Sequence, residues 1–274
     1  MDGKQLTVDH RQPPLVSVIM NCLNGEKYLR EAIDSVFAQT YPSWEIIFWD
    51  NASTDCSGEI AQSYDSRLRY FRAEKTIPLG AARRQAVEQA QGDYLALLDY
   101  DDVYLPRKLE VQVRMAETNP DLGMVFSDCI FIDSKGGTLG RCFSKYRPPQ
   151  DGNVLLGLLS GRNFIICPTP LMRTAAVRKV GGFNPAFTYS EEYDLFLRIA
   201  LEYHVAYTTE PLAKYRLHAG NITGTGSPGT TRETMQIIKQ TVSLLPGLPW
   251  RNQLKIQRRL WELRAKLMLQ SLRK

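Results

Sequence analysis

The chain has 274 residues, of which 43% are hydrophobic and 23% are charged. This length and composition fit one large α/β domain with a short appendage and exclude an intrinsically disordered chain. The five cysteines form neither a zinc-binding pattern nor a disulfide framework, so we expect a reducing, cytoplasmic compartment.

The net charge of +5 is concentrated in the C-terminal tail. Residues 231–274 contain ten Lys/Arg and two Asp/Glu, a balance of +8, which leaves −3 for residues 1–230. The basic tail therefore indicates an anionic partner such as a membrane surface. The N-terminus lacks the apolar segment of a signal peptide, and polar residues interrupt the most apolar later stretch, Val154 to Met172. We expect no membrane span, and peripheral attachment at the inner face of the membrane stays open.

Short apolar runs alternate with helical patterns along the first hundred residues. Four buried strands are predicted, at residues 15–20, 46–49, 68–72 and 94–98. Amphipathic helical patterns lie between them, and Asn24 is in position to cap the first helix. This rhythm predicts a mainly parallel sheet with helices on both faces.

Polar residues follow three of these strands, where an open α/β sheet binds its ligand. Asn21 and Asn24 follow the first strand, Asp50 follows the second, and the fourth is followed by Asp99, Asp101 and Asp102. Crowded carboxylates need a compensating cation, and Mg²⁺ typically takes one or two carboxylates together with phosphate oxygens. Asp99 and Asp101 therefore predict a metal and diphosphate site. Asp102 fits a turn or capping role equally well.

Several motifs occur in a fixed order between about Pro14 and Thr223. They are Asp50-Asn51-Ala52-Ser53-Thr54-Asp55, Gly80-Ala81-Ala82-Arg83, Gly92-Asp93-Tyr94-Leu95, the Asp99–Asp102 cluster, Gly181-Gly182-Phe183, Glu191-Glu192-Tyr193-Asp194-Leu195 and Tyr215-Arg216-Leu217-His218. In this order they resemble the family 2 glycosyltransferases of the GT-A fold. The resemblance implies a Rossmann-like domain over residues 14–223, with a nucleotide-binding half (14–102) and an acceptor half (103–223).

The resemblance also implies an activity. It is the transfer of a sugar, with inversion, from a nucleotide-diphosphate donor to a hydroxyl of a glycan or lipid-linked acceptor, as in polysaccharide biosynthesis. A UDP-sugar is the leading donor, and a divalent metal, Mn²⁺ or Mg²⁺, assists. Leu23 departs from the family, which commonly has an aromatic residue there.

The resemblance assigns roles to individual residues. Asp50 contacts the nucleobase, Arg83 lies near the donor, and Asp99 contacts the ribose or the metal. Asp101 binds the metal, and His218 lies close to the metal and the diphosphate. From the residues alone, Arg83 also fits a solvated helix position, Asp50 a turn cap, and His218 a structural histidine.

An acidic pair supplies the catalytic base in this family. The pair is usually Glu-Asp and here is Glu191-Glu192, so Glu192 is assigned as the base, with Glu191 and Asp194 as alternatives. Successive residues of a helix that begins near Ser190 diverge by about 100°, so only one of the two glutamates is expected to face the site.

Two rival functions stay open. A nucleotidyltransferase that makes the sugar donor usually has a basic, Gly-rich phosphate loop, and residues 21–25 lack that character. A non-catalytic binding module would not need a base. Nucleic-acid binding by the tail is disfavoured, because only two aromatic residues, Trp250 and Trp261, could stack on bases there.

The remaining residues form two terminal segments. Residues 1–13 are predicted to be an N-terminal tail and residues 224–229 a flexible linker. Helices are then predicted over 231–245 and 251–274. The second helix has basic residues and an apolar face, Ile256, Leu260, Leu263 and Leu267, a combination typical of helices that lie in a membrane interface. Alternatively this face packs on the catalytic domain or on the partner in a homodimer.

Overall fold

The computed structural model describes residues 12–146, 148, 153–221 and 227–271. The strands in this part of the chain are β1 (Val16–Cys22), β2 (Trp44–Asp50), β3 (Leu68–Arg72), β4 (Tyr94–Leu97), β5 (Val103–Tyr104), β6 (Leu122–Ile132), β7 (Thr138–Arg141), β8 (Leu171–Arg173) and β9 (His204–Arg216). The helices are α1 (Glu26–Phe37), α2 (Ser57–Gln62), α3 (Leu79–Glu88), α4 (Lys108–Glu117), α5 (Cys142–Lys145), α6 (Val154–Ser160), α7 (Thr174–Lys179), α8 (Glu191–Glu202), α9 (Pro228–Ser243) and α10 (Trp250–Ser271).

The strands form one sheet in the order β3-β2-β1-β4-β8-β6-β9-β5, and β7 pairs with β6. Its N-terminal half is parallel throughout, since β1 pairs with β2 and β4, and β2 pairs with β3. Every residue of β1, β2 and β4 is buried. Because successive side chains of a strand point to opposite faces, both faces of this half are covered. The four predicted strands and the mainly parallel α/β sheet are confirmed.

The C-terminal half of the sheet mixes strand directions. β6 and β9 are parallel, whereas β8 lies antiparallel between β4 and β6. β5 pairs antiparallel with β9, with Val103 opposite Lys214. This pairing brings the late Tyr215–His218 motif beside the acidic cluster that directly precedes β5.

Asn24 does not cap α1, contrary to the sequence-based expectation. Gly25 occupies the cap position, and Asn24 has a left-handed backbone conformation with φ of 55°. Its side-chain Oδ1 instead accepts a hydrogen bond from the Thr54 N–H, at 2.8 Å. Asn24 therefore joins the loop after β1 to the loop after β2.

The tail folds onto the domain. Helix α9 begins at Pro228, and the Ser227 side chain caps it by accepting from the Thr230 N–H, so residues 227–229 of the predicted linker belong to the helix and its cap. Residues 224–226, 272–274 and most of the predicted N-terminal tail lie outside the described residues.

Helix α10 packs against α6 and α9 through the predicted apolar face, of which Ile256, Leu260 and Leu263 are buried. Packing on the chain's own domain is thus the interpretation that the structure supports for this face. Because this apolar face is buried, it is not available to a membrane. In the part of the chain described above, no helix combines the length and apolarity needed to cross a bilayer.

We expect the two faces of α10 to differ in their contribution to stability. Leu260→Ala removes a buried side chain and should lower the free energy of unfolding by about 2–4 kcal/mol. Leu254→Ala changes a residue that is 59% exposed and should change it by less than about 0.5 kcal/mol. Urea unfolding of both variants checks this, and equal losses would contradict the packing described here.

Candidate functional site

The loops at the carboxyl ends of β1 and β2 are joined by hydrogen bonds. The Asn24 N–H donates to Ser53 Oγ at 3.0 Å, and the Gly25 N–H donates to Ser57 Oγ at 2.9 Å. The buried N–H of Gly25, which would otherwise have no partner, is thereby satisfied. One wall of the candidate site is therefore fixed by the polar residues that follow the two strands.

Asp50 lies at the end of β2 and is fully buried. Its carboxylate accepts hydrogen bonds from the Ser53 N–H and the Tyr70 hydroxyl, both at 2.7 Å, and from the Arg72 guanidinium. Burial raises the pKa of Asp50, but these bonds and the charge of Arg72 outweigh it and lower the pKa below its ordinary value. The bond to Ser53 is the turn cap considered above, and the nucleobase contact stays a prediction.

Asn21, at the end of β1, has a buried side-chain amide. Among the described residues neither its oxygen nor its nitrogen has a hydrogen-bond partner. An unpaired buried amide is costly, so a water or a ligand group is expected to satisfy it. Leu23, two residues later, is 39% exposed at the same edge.

The carboxylates of Asp99, Asp101 and Asp102 form a cluster in which one oxygen of each lies within 4.8 Å of the others. Asp99 is the most accessible, with 28% of its side chain exposed, whereas Asp101 and Asp102 are buried. Burial, followed by repulsion from the neighbouring carboxylates, raises the pKa of Asp101 and of Asp102. Asp102 Oδ2 has no partner within the described residues. A divalent cation would relieve both penalties, so the cluster suits one.

Arg216, at the end of β9 in the Tyr215–His218 motif, holds this cluster in position. Its N–H donates to Asp102 Oδ1 at 2.9 Å, and its Nε donates to the Asp101 carbonyl at 2.9 Å. Its Nη2 pairs with Glu31 on α1 at 2.6 Å. Asp102 Oδ1 is thus held by β9, whereas Asp102 Oδ2 has no partner among the described residues. Arg216 positions the cluster, a role that its place in the Tyr215–His218 motif did not indicate.

His218 lies against Asp101. Its Nε2 is 2.7 Å from Asp101 Oδ2, and its Nδ1 accepts the Gly220 N–H at 3.1 Å. A nitrogen that accepts carries no proton, so the proton of neutral His218 is on Nε2 and points to Asp101. In this arrangement His218 orients Asp101. Ligation of a metal by Nε2 would require that proton to move to Nδ1, which would then no longer accept the Gly220 N–H.

Arg83 is buried on α3, so the solvated-helix interpretation is wrong. Gly80 allows α3 to approach the segment before α8, because a Cβ on Gly80 would lie 2.3 Å from the Asn184 carbonyl oxygen. The Arg83 Nη2 pairs with Asp99 at 2.7 Å and lies 3.2 Å from Cys167 Sγ. The sequence offered no signal that Cys167 lies here.

Both glutamates at the start of α8 reach Arg83. The Arg83 Nη1 pairs with Glu191 at 2.7 Å and with Glu192 at 3.3 Å. Both side chains converge on Arg83, because the long arginine extends to the end of the helix. The expectation that only one of them faces the site stays a prediction. Burial, followed by repulsion from Glu192, raises the pKa of Glu191 well above its ordinary value, although Arg83 opposes the shift.

The two glutamates differ in access. Glu191 has 1% of its side chain exposed and Glu192 has 15%. Asp194, the other alternative for the base, pairs with Arg198 at 2.5 Å and faces the Gly181-Gly182 turn, whose carbonyl at Gly182 accepts from Arg198. Of the three, Glu192 is therefore the carboxylate best able to meet a substrate hydroxyl.

The tail helix α9 supports the start of α8. Glu233 accepts hydrogen bonds from the N–H groups of Thr188, Tyr189 and Ser190 at 2.8–3.0 Å. These are the last residues before Glu191. The tail therefore contributes to the position of the acidic pair, and no sequence motif indicated this.

The chain is similar in sequence to a known protein family and to several of its members. Residues 17–181 match the model of glycosyl transferase family 2. An uncharacterized glycosyltransferase of Methanocaldococcus jannaschii is 32% identical over 217 residues, which cover 77% of this chain and 73% of the relative. An uncharacterized glycosyltransferase of Rickettsia typhi is 33% identical over 216 residues, covering 77% and 67%.

Solved structures share the fold at low sequence identity. S. aureus TarS in complex with UDP-GlcNAc superposes with a TM-score of 0.70 at 19% identity, covering 88% of this chain and 70% of that one. The mannosyltransferase PcManGT from Pyrobaculum calidifontis, in complex with GDP-Man and Mn²⁺, superposes with a TM-score of 0.69 at 15% identity, covering 95% and 74%. The GT-A fold expected from the sequence is confirmed.

The buried charge of Arg83 should be essential for stability. Arg83→Met leaves three carboxylates without their shared cation and should lower the free energy of unfolding by about 3–5 kcal/mol. Glu191→Gln in that background should recover part of the loss, because it removes one buried charge. Chemical denaturation of the single and double variants measures both effects.

Arg84→Met is the matched control. Arg84 is half-exposed and pairs with Glu88 on the same helix. Its loss should cost less than about 0.5 kcal/mol. Equal costs for Arg83→Met and Arg84→Met would contradict the network.

Proposed function

Since the chain belongs to glycosyl transferase family 2, we propose that it transfers a sugar from a nucleotide-diphosphate donor to an acceptor hydroxyl, with inversion. The observation that carries the proposal is that Arg83 contacts both the acidic cluster after β4 and the start of α8. There the guanidinium joins Asp99, from the acidic cluster, to the accessible Glu192. Glu192, a carboxylate that could accept a proton, thus lies beside the acidic cluster, whose carboxylates suit a metal and a diphosphate.

The donor is a nucleotide sugar in this proposal, and a UDP-sugar is the leading candidate. UDP-GlcNAc in TarS and GDP-Man in PcManGT support the class of ligand and leave the base open. Arg83 and Asp99 lie near the donor. The unpaired amide of Asn21 and the loop held by Asp50 lie at the neighbouring strand ends, where the nucleoside would bind.

A divalent cation, Mn²⁺ or Mg²⁺, would be held by Asp101 with help from Asp99. Three converging carboxylates and the unpaired Asp102 Oδ2 support it. When bound, such an ion neutralises negative charge that develops on a departing diphosphate. His218 holds Asp101 in position through its Nε2, and its assignment as a ligand requires the proton on Nε2 to move to Nδ1.

Glu192 is the general base in this proposal. It accepts the proton of the acceptor hydroxyl while that oxygen forms a bond to the anomeric carbon. The bond from this carbon to the donor phosphate oxygen breaks on the opposite face, so a single displacement inverts the centre. Glu191 is held by Arg83 and sealed from solvent, and it orients the guanidinium. The acceptor is a hydroxyl of a glycan or of a lipid-linked saccharide.

Glu192→Gln should reduce turnover by about 10²–10⁴-fold and leave donor binding nearly unchanged, because the amide keeps the shape but cannot accept the proton. Turnover is measured as nucleoside diphosphate released, and donor binding by calorimetry. Glu191→Gln is the matched comparison. A severe loss in that variant alone would move the base to Glu191. Release of pyrophosphate by the parent protein would instead favour a nucleotidyltransferase.

Asp101→Asn should weaken donor binding in the presence of metal and leave metal-free binding unchanged. Thermal shift with UDP-, GDP- and dTDP-sugars, with and without Mn²⁺, measures this, because a ligand raises the melting temperature according to its concentration relative to Kd. Asp65→Asn, an exposed aspartate paired with Arg67, is the control. A shift for one nucleotide identifies the base. Equal shifts with metal and with a chelator would contradict metal dependence.

A further inference from the structure

Helix α10 has a second apolar stripe, on the side that the domain does not cover. The exposed stripe consists of four large side chains that are 59–68% exposed, namely Trp250, Leu254, Trp261 and Met268. At about 100° per residue these side chains lie within roughly 40° of one another around the helix axis. The stripe is roughly 130° away from the buried face of the same helix. Packing on α6 and α9 therefore cannot cover it.

Basic side chains flank the exposed stripe. Arg251, Lys255, Arg258, Arg264 and Lys266 are all exposed, and Glu262 is the single acidic residue between Trp250 and Ser271. Arg258 pairs with Glu262 and still has 84% of its side chain exposed. At about 100° per residue, Arg251 and Arg258 border the stripe on one side and Arg264 borders it on the other, whereas Lys255 and Lys266 lie farther round the helix. The exposed stripe thus has positive edges.

We propose that α10 docks the protein on an anionic lipid bilayer, with the exposed stripe in the interface. Tryptophan favours the boundary between headgroups and acyl chains, where its ring is apolar and its N–H stays hydrated. Leu254 and Met268 add apolar area, and the arginines and lysines face anionic headgroups. The stripe extends over about 27 Å of helix, so several lipids contact it at once.

The charges favour a bilayer over a second copy of this chain. Two copies docked stripe against stripe would bring their basic edges together, with one glutamate per helix to offset them. Like charges at that distance repel, whereas anionic headgroups attract the same edges. This docking goes beyond the proposed transfer reaction and does not depend on it.

The test uses the full chain and two kinds of vesicle. One kind contains equal parts of phosphatidylglycerol and phosphatidylcholine, and the other contains phosphatidylcholine alone. We expect the protein to sediment with the anionic vesicles and far less with the neutral ones. Raising the salt from about 0.1 M to about 0.5 M should release it, because the charges at the surface are screened. Tryptophan emission should shift to shorter wavelength on binding.

Paired variants distinguish binding through the exposed stripe from non-specific binding by other exposed residues. Trp250→Ser combined with Trp261→Ser should lower partitioning about tenfold or more and abolish the emission shift, because Trp44 and Trp49 are already buried. Leu139→Ser, at an exposed leucine on β7, should leave partitioning unchanged. Arg258→Gln should weaken it, whereas Arg84→Gln, at the equivalent ion pair of α3, should not. Unchanged thermal unfolding establishes that the variants fold.

Three results would overturn the proposal. The first is unchanged partitioning of the double tryptophan variant, and the second is equal partitioning of the parent protein to both vesicle types. The third is a dimer of the parent protein in sedimentation velocity that is absent from the double tryptophan variant, because the stripe would then bind a second copy.

Discussion

The guanidinium of Arg83 lies buried between carboxylates that come from distant parts of the chain, Asp99 after β4 and the two glutamates at the start of α8. Without a cation these acidic groups would repel one another in a poorly solvated space. Arg83 allows them to stand within reach of a single ligand. Its own position depends on Gly80, which lets α3 approach the segment before α8.

A second arginine, Arg216, stabilises the acidic cluster after β4. Arg216 contacts Asp102, the Asp101 carbonyl and Glu31, so it connects β9, the acidic cluster and α1. The acidic groups thus differ in their exposure to solvent. Asp102 and Glu191 are buried and accept hydrogen bonds from the arginines, whereas Asp99 and Glu192 are partly exposed and accessible to a ligand. Glu233 adds a third support, from the tail, by holding the backbone just before Glu191.

Much of this was predictable from the residues. The positions of β1 to β4 along the chain followed from short apolar runs. The acidic cluster was singled out by its place at the end of a strand. The family motif implied that His218 lies close to the metal and the diphosphate, and its hydrogen bond to Asp101 was not predicted. The sequence could not show that Glu191 and Glu192 share Arg83. Helix geometry gives the direction of each Cβ on α8, but it does not give the position of the Arg83 guanidinium, which comes from another helix. It also could not place Cys167 or Glu233, which belong to no motif and meet the site only through the fold.

The sequence by itself determined the family, the parallel half of the sheet and the residue types at its ligand edge, because these depend on local periodicity and on motifs read in order. Tertiary structure decided which groups are sealed and which are open. Helix α10 shows the reason most clearly. Its sequence contains two apolar stripes, and periodicity alone singled out the one that the structure buries against α6 and α9. Only packing determines which stripe loses contact with water, because burial is a property of the neighbours of a residue and not of the residue.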